Sequence, residues 1–87
     1  MTKNVPNKRS MPEKYRNQAK QIVKVAMARA GVGYPELVRR LGGLGVEFSE
    51  QGLRNKIGKG AFGADFLLAV FDACGERLGE LLPKEKE

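Results

Sequence analysis

Three polar side chains that could read a base pair stand close together near the middle of the chain, at Gln51, Arg54 and Asn55. In the major groove of DNA, Gln or Asn can form two hydrogen bonds with adenine, and Arg can form two with guanine. Leu53 and Ile57 are spaced for one face of a helix, and at about 100° per residue the opposite face holds Gln51 and Asn55. The segment therefore predicts a helix with a base-reading outer face.

Basic side chains surround this segment and could neutralise phosphates. Such contacts set the register of a protein on the duplex without reading its sequence. The four central ones are Arg39, Arg40, Lys56 and Lys59. Residues 1–11 are polar and basic, which predicts a flexible arm whose Lys3, Lys8 and Arg9 could follow a minor groove.

The size and charge of the chain restrict its function. With 87 residues, the chain forms one domain, and a domain of this size buries only about 60% of the surface that its unfolded chain exposes. Few large apolar side chains remain to build a substrate pocket, so we expect neither an enzyme nor a small-molecule substrate. Residues 1–60 carry 13 basic and 4 acidic side chains, whereas residues 61–87 carry 3 and 6. A basic body with an acidic end suits a nucleic-acid-binding protein.

The spacing of apolar residues predicts an all-α fold of five helices, because no segment alternates as a strand would. Proline, glycine and serine mark the helix ends, with Gly31 and Gly45 as left-handed caps and Ser49 as an N-cap. The predicted ranges are 12–30, 34–44, 50–57 and 63–74, followed by a short fifth helix that carries Leu78, Leu81 and Leu82 and stops at Pro83. Residues 12–82 thus form the domain, and residues 83–87 form a disordered tail.

The apolar faces of these helices predict the core. Helix 2 directs Leu37, Val38, Leu41 and Leu44 inward, and helix 4 has the strongest apolar face, with Phe66, Leu67, Val70, Phe71 and Cys74. On helix 1, Val25 and Met27 widen the apolar stripe. This width indicates either a well-buried central helix or a dimer surface, and burial is the interpretation that we favour.

Five short helices, with the second and third forming a turn motif, resemble the lambda-repressor-like (XRE-type) helix-turn-helix DNA-binding domains. The resemblance covers residues 15–82. The resemblance rests on Pro35–Leu41 in the positioning helix and on Leu53–Ile57 in the reading helix. It also rests on Gly60, Phe66 and Leu67 in the segment that follows the reading helix. The stretch LRNKIGKGAFGADFLL also resembles small bacterial proteins known only as a domain of unknown function with a predicted helix-turn-helix core. The resemblance implies a sequence-specific transcriptional regulator that binds double-stranded DNA, and the small size of the motif implies a homodimer.

The connection between helices 2 and 3 departs from this family, because GVEFS at residues 45–49 is longer than the usual turn of three or four residues. In addition, the carboxylates of Glu47 and Glu50 repel phosphate at the entrance to helix 3, although Glu50 also favours a helix N-terminus. These features support a second hypothesis, a protein-binding helix-turn-helix module such as an antiactivator or adaptor. The length of the turn decides whether the outer face of helix 3 reaches DNA or a protein.

Other kinds of site have little support in the sequence. The chain has no histidine and a single cysteine, Cys74, which we predict to be a buried structural thiol, so neither a metal nor a cofactor is expected. Gly52 to Lys59 fails the spacing of a phosphate-binding loop, and Gly60 stands where that motif needs Ser or Thr. No segment has the length and hydropathy of a membrane span or a signal peptide. We therefore expect a cytoplasmic protein.

Overall fold

The computed structural model describes residues 12–77, which form four α-helices joined by short connections. These are α1, Glu13–Ala30; α2, Tyr34–Gly43; α3, Glu50–Lys59; and α4, Ala64–Cys74. No residue between 12 and 77 belongs to a β-strand, so the all-α prediction is confirmed for this part of the chain. The predicted basic arm at 1–11, the predicted fifth helix and the predicted tail at 83–87 lie outside the described residues.

Local signals account for most helix ends. Gly31, at φ 71°, ends α1 as predicted, and the Ser49 hydroxyl accepts a hydrogen bond of 2.9 Å from the Gly52 amide at the start of α3. Helix α3 extends two residues beyond its predicted end near residue 57, because it continues through Gly58 to Lys59 and closes at Gly60. One glycine costs a helix only about 1 kcal/mol relative to alanine, which is too little to stop a helix whose preceding turn is buried.

The connection between α2 and α3 consists of residues 44–49 and packs against the rest of the domain. Gly45 adopts φ 88°, as predicted, and the Val46 amide donates a hydrogen bond of 2.9 Å to the Leu41 carbonyl. The ring of Phe48 meets Phe66 of α4 edge to face, with the ring centroids 5.6 Å apart. The long turn is therefore fixed to both the end of α2 and the side of α4.

All four helices contribute to one hydrophobic core. Its fully buried side chains come from every helix, and each stabilises the fold by about 1.5–3 kcal/mol relative to an exposed position. These central residues are Val23, Leu37, Leu41, Leu53, Ile57 and Val70. Met27, Val32, Phe66 and Ala73 extend the same cluster.

Two predictions about burial are wrong. Leu44 is 47% exposed, because α2 ends at Gly43 and the Leu44 side chain lies beyond the stripe that includes Leu41. Val25 is also 47% exposed, whereas Met27 is buried as predicted. The other helices cover only the face of α1 that carries Val23, Ala26 and Met27. An apolar part of α1 is therefore left at the surface.

Candidate functional site

The outer face of α3 presents its polar residues to solvent. Leu53 and Ile57 are fully buried, which fixes the rotation of the helix about its axis. Gln51, Asn55 and Gly58 lie on the opposite side, within about 60° of one another, and all three are exposed. We call these three residues the α3 stripe. The predicted outward direction of Gln51 and Asn55 is confirmed, and Gly58 belongs to the same line.

The two amide side chains of the α3 stripe are joined to each other. The Gln51 side-chain nitrogen donates a hydrogen bond of 3.1 Å to the Asn55 side-chain oxygen. A pair of this kind, one turn apart on an exposed helix, contributes only about 0.2–0.5 kcal/mol. The Gln51 oxygen and the Asn55 nitrogen keep an acceptor and a donor for a partner. The pair is thus ordered but easily rearranged on binding.

Arg54 lies beside the stripe and is held by two neighbours. Its guanidinium donates a hydrogen bond of 2.8 Å to the Glu50 carboxylate. The same group lies over the ring of Tyr34, at 4.5 Å from the ring centroid. An arginine stacked on an aromatic ring keeps its planar set of donors in a defined orientation. Arg54 therefore has a fixed direction, and any partner must compete with Glu50 for it.

The two lysines of α3 have different surroundings. The Lys56 ammonium lies 5.4 Å from the centroid of the Phe66 ring, and its side chain is half-buried against α4. Lys59 is exposed, and within residues 12–77 it forms no hydrogen bond or ion pair. Of the two lysines, Lys59 thus carries the charge that is available to an external anion.

The arginines of α2 share one carboxylate. Arg39 and Arg40 both donate hydrogen bonds to Glu36, the second at 3.0 Å. The hydrogen bond from Arg39, followed by that from Arg40, lowers the pKa of Glu36 below its ordinary value. Arg40 also donates a hydrogen bond of 3.0 Å to the Ala73 carbonyl near the end of α4. Arg40 thus links α2 to α4, a structural role that the sequence pattern did not indicate.

A close contact brings α1 to the end of α3. A methyl group on Gly60 would lie well inside van der Waals contact of the Arg16 carbonyl oxygen and 3.1 Å from the Lys20 side chain. Only glycine fits this position, where φ is 64°. The contact places Lys20 next to the helix end that carries Lys59. Two basic residues from different helices therefore flank Gly60.

Gly52 has a structural explanation. A side chain there would begin only 3.0 Å from the Ser49 hydroxyl, which caps the helix. The contact thus explains the glycine by packing at the start of α3.

Tyr34, Gly58 and Lys20 were not among the candidate residues derived from the sequence. For Gly58 a signal existed, since it lies seven residues after Gln51 and thus almost in phase with it. Tyr34 is 20 positions from Arg54 in the sequence, and no periodicity connects the two residues. The arm residues Lys3, Lys8 and Arg9 lie outside the described residues.

Two other classes of site are absent from residues 12–77. No group of three Cys, Asp or Glu side chains there is placed to bind a metal ion. None of the four helices described is long and apolar enough to cross a membrane.

Residues 15–77 match a protein family described as a domain of unknown function, DUF6471. No curated protein and no solved structure matches the chain with statistical significance.

Proposed function

This chain belongs to the DUF6471 family, and we propose that it is a small DNA-binding transcriptional regulator that places α3 in the major groove. In this proposal α2 and α3 act as the two helices of a lambda-repressor-like helix-turn-helix, and Gln51, Arg54 and Asn55 contact the bases. The observation that carries the proposal is the α3 stripe, an exposed line of amide side chains beside an oriented arginine.

The chemistry of the stripe matches the edges of bases. A Gln or Asn side chain offers one donor and one acceptor, as adenine does in the major groove. Arg54 stacked on Tyr34 resembles an arginine prepared for two hydrogen bonds to guanine. At Gly58 the helix has no side chain, and this leaves room for the duplex to approach the backbone. The last turn of α3 would then lie closest to the base pairs.

The surrounding charge suits a phosphate backbone. Lys59 and Lys20 flank the end of α3 from two helices, and neither pairs with an acidic group within residues 12–77. Arg39 is largely exposed, with 76% of its side chain accessible, and it shares Glu36 with Arg40. We assign phosphate contacts first to Lys59 and Arg39. Lys56 and Arg40 remain predicted phosphate contacts, although each already has a neighbour within the fold.

The packed turn at residues 44–49 supports a fixed angle between α2 and α3. Because Phe48 is held against Phe66 and Val46 is bonded to Leu41, the two helices should bind as one rigid unit. A single small reading helix contacts few bases, so we expect two copies to bind a two-fold symmetric site as a homodimer.

One observation favours the second candidate, a protein-binding module. The ion pair between Arg54 and Glu50 already neutralises the arginine, and Glu47 adds another negative charge at the same end of α3. A partner that bound this end through its own basic residues would exploit both carboxylates. In that case the protein would capture another regulator and would not contact DNA.

Selection of bound fragments from random duplexes, followed by a salt titration, tests the proposal. Binding through phosphates releases counterions, so the affinity should fall steeply with salt concentration. Arg54→Ala should reduce the preference for the selected site over random DNA by about 5- to 150-fold, which corresponds to one lost base contact of about 1–3 kcal/mol. Lys59→Ala should weaken binding to all sequences alike and reduce the salt slope by about one.

Lys24→Ala is the control, because Lys24 is an exposed lysine on α1 and the substitution removes the same charge as Lys59→Ala. We expect it to change binding less than Lys59→Ala does. Absence of binding at about 50 mM salt would contradict the DNA proposal and favour the protein-binding alternative. Equal effects of Arg54→Ala and Lys59→Ala on selectivity would show that α3 is not the reading helix.

A further inference from the structure

Five residues of α1 form a line along the surface that the other helices leave uncovered. Tyr15, Ile22 and Val25 are 49%, 45% and 47% exposed, which is high for large apolar side chains. They alternate at spacings of three and four with Gln18 and Arg29, which are exposed too, so all five lie within about 80° of one another around the helix. We call these five residues the α1 seam. Two helices pair through this spacing in a coiled coil.

An apolar groove of about 460 Å³ runs along the α1 seam, between α1 and the end of α4. Its lining consists of the seam from residue 18 to residue 29, together with Gln21, Ala26, Phe71 and Glu76. Gln18 and Gln21 are the uncharged polar members, and each side-chain amide can donate and accept hydrogen bonds. The two charged members, Arg29 and Glu76, lie 2.8 Å apart and neutralise each other. A continuous apolar surface without net charge is typical of a protein-binding site.

The lysines of α1 leave the centre of the seam uncharged. Lys20 lies next to Gly60 at the end of α3, and Lys24 follows one turn later on the same side of α1. Lys14 borders only the first residue of the seam, with its ammonium 5.1 Å from the centroid of the Tyr15 ring. In a chain with a net charge of +6, two copies meet with the least repulsion on such a neutral strip.

We propose that the α1 seam binds the α1 seam of a second copy of this chain, with the two helices antiparallel about a two-fold axis at Ile22. In this arrangement Ile22 meets its own copy, and Val25 packs on the aliphatic stem of Gln18. Arg29 comes opposite Tyr15, whose ring attracts a guanidinium. Gln21, at the edge of the seam, can exchange hydrogen bonds with Gln21 of the second copy.

Charge selects the antiparallel direction. In a parallel pair Arg29 would lie beside Arg29 of the second copy, and like charges placed together across an interface weaken binding. In the antiparallel pair each Arg29–Glu76 ion pair lies at the opposite end from that of the second copy, next to Tyr15 and Lys14. The Glu76 carboxylate can then attract the Lys14 ammonium as well.

This interface deepens the proposed function, because it assigns a surface to the homodimer expected there, but its formation does not require DNA. The contact of Gly60 with α1 places α3 on the side of α1 away from the seam, so pairing leaves both α3 stripes uncovered. The seam spans about 21 Å along the helix axis, which is too short for a standard interface of about 1,600 Å². We therefore expect weak association, with a Kd in the micromolar range or higher.

Sedimentation equilibrium of the full chain without DNA, at about 10–500 µM, tests the interface. The natural chain should be in equilibrium between monomer and dimer. Ile22→Glu should raise the dimer Kd about tenfold or more, because two carboxylates would meet at the axis. Leu68→Glu is the matched control, since Leu68 is an exposed aliphatic residue of α4 outside the groove, and it should leave the Kd unchanged.

A chain that is monomeric at every concentration, or equal effects of the two variants, would overturn the proposal. A monomeric chain in which Ile22→Glu lowers the urea midpoint more than Leu68→Glu does would show that the groove is covered within the chain. DNA binding by such a monomer would contradict the interface alone. A dimer that binds no duplex would support the interface and contradict the proposed function.

Disulfide trapping tests the direction of the helices. In a Cys74→Ser background, Ile22→Cys should form a disulfide between two chains under mild oxidation by glutathione disulfide, because the axis brings the two Cα atoms within about 7 Å. Val25→Cys is the control, since in the antiparallel pair its two copies lie about 9 Å apart along the axis and should react more slowly. Equal reaction of both variants would refute the antiparallel seam.

Discussion

Replacing Gly58 by alanine should raise the stability of the domain and lower its affinity for DNA. Gly58 is the next-to-last residue of α3, its φ is not positive, and a methyl group there would meet no atom within 4 Å. Alanine favours a helix over glycine by about 0.8–1.0 kcal/mol, and somewhat less in the last turn. We therefore expect Gly58→Ala to stabilise the domain by about 0.5–1 kcal/mol, which raises its Tm by about 2–8 °C.

The effect on DNA binding should have the opposite sign. Gly58 lies about 20° from Gln51 around the helix axis, so its backbone faces the same way as the reading side chains. If the duplex approaches α3 there, an added methyl group is crowded against a base or sugar, and crowding of this kind costs about 1–3 kcal/mol. The affinity for the selected site should then fall by about 5- to 150-fold.

Gly42→Ala supplies the control for both measurements. Gly42 is the next-to-last residue of α2, which also has 10 residues, and a methyl group there also meets no atom within 4 Å. Thermal unfolding should show a similar gain for the two variants, while fluorescence anisotropy with labelled duplex should show a loss for Gly58→Ala alone. A stabilised Gly58→Ala variant with unchanged affinity would refute the assignment of this face to DNA. A Tm that does not rise would refute the stability argument.

Two further predictions concern the fold itself. Gly60→Ala should destabilise the domain by about 2–5 kcal/mol in urea unfolding, because its backbone at φ 64° disfavours alanine and the methyl group collides with the Arg16 carbonyl. Gly31→Ala is the control, because Gly31 has φ 71° but a methyl group there meets no atom within 4 Å, and it should lower the free energy of unfolding by only about 1–2 kcal/mol. Equal losses for Gly60→Ala and Gly31→Ala would contradict the collision at Gly60. The pKa of Glu36 is lower in the folded state, so its ionised carboxylate stabilises the fold at pH values above the ordinary carboxyl pKa. This stabilisation is lost as the pH falls through the folded pKa. Glu36→Gln should therefore unfold at lower urea than the natural chain at neutral pH, and the two midpoints should converge in acid; a constant difference would argue against the ion pairs.

The sequence predicted the helices well because their ends depend on neighbouring residues. Ser49, Gly31 and Gly45 act through their own backbone or the next turn, so their roles can be inferred locally. The exposure of Val25 could not be predicted in this way, since it depends on how much of α1 the other helices cover.

The candidate site was predictable only in part, for the same reason. The exposure of Gln51 and Asn55 follows from the positions of Leu53 and Ile57 on one helix. The partners of Arg54 and Arg40 do not follow from any spacing, because Tyr34 and Ala73 reach these arginines through the packing of different helices.

The stacking of Arg54 on Tyr34 gives the protein a built-in spectroscopic reporter. The chain has two tyrosines and no tryptophan, so Tyr34→Phe would identify the Tyr34 share of the ultraviolet emission. The ring current of Tyr34 shifts the NMR signals of the Arg54 side chain while the guanidinium stays 4.5 Å from the ring centroid. When Arg54 binds a base from its stacked orientation, this shift persists. When a protein partner pairs its own basic residues with Glu50 and Arg54 leaves the ring, the shift is lost, so this residue pair distinguishes the two modes of binding.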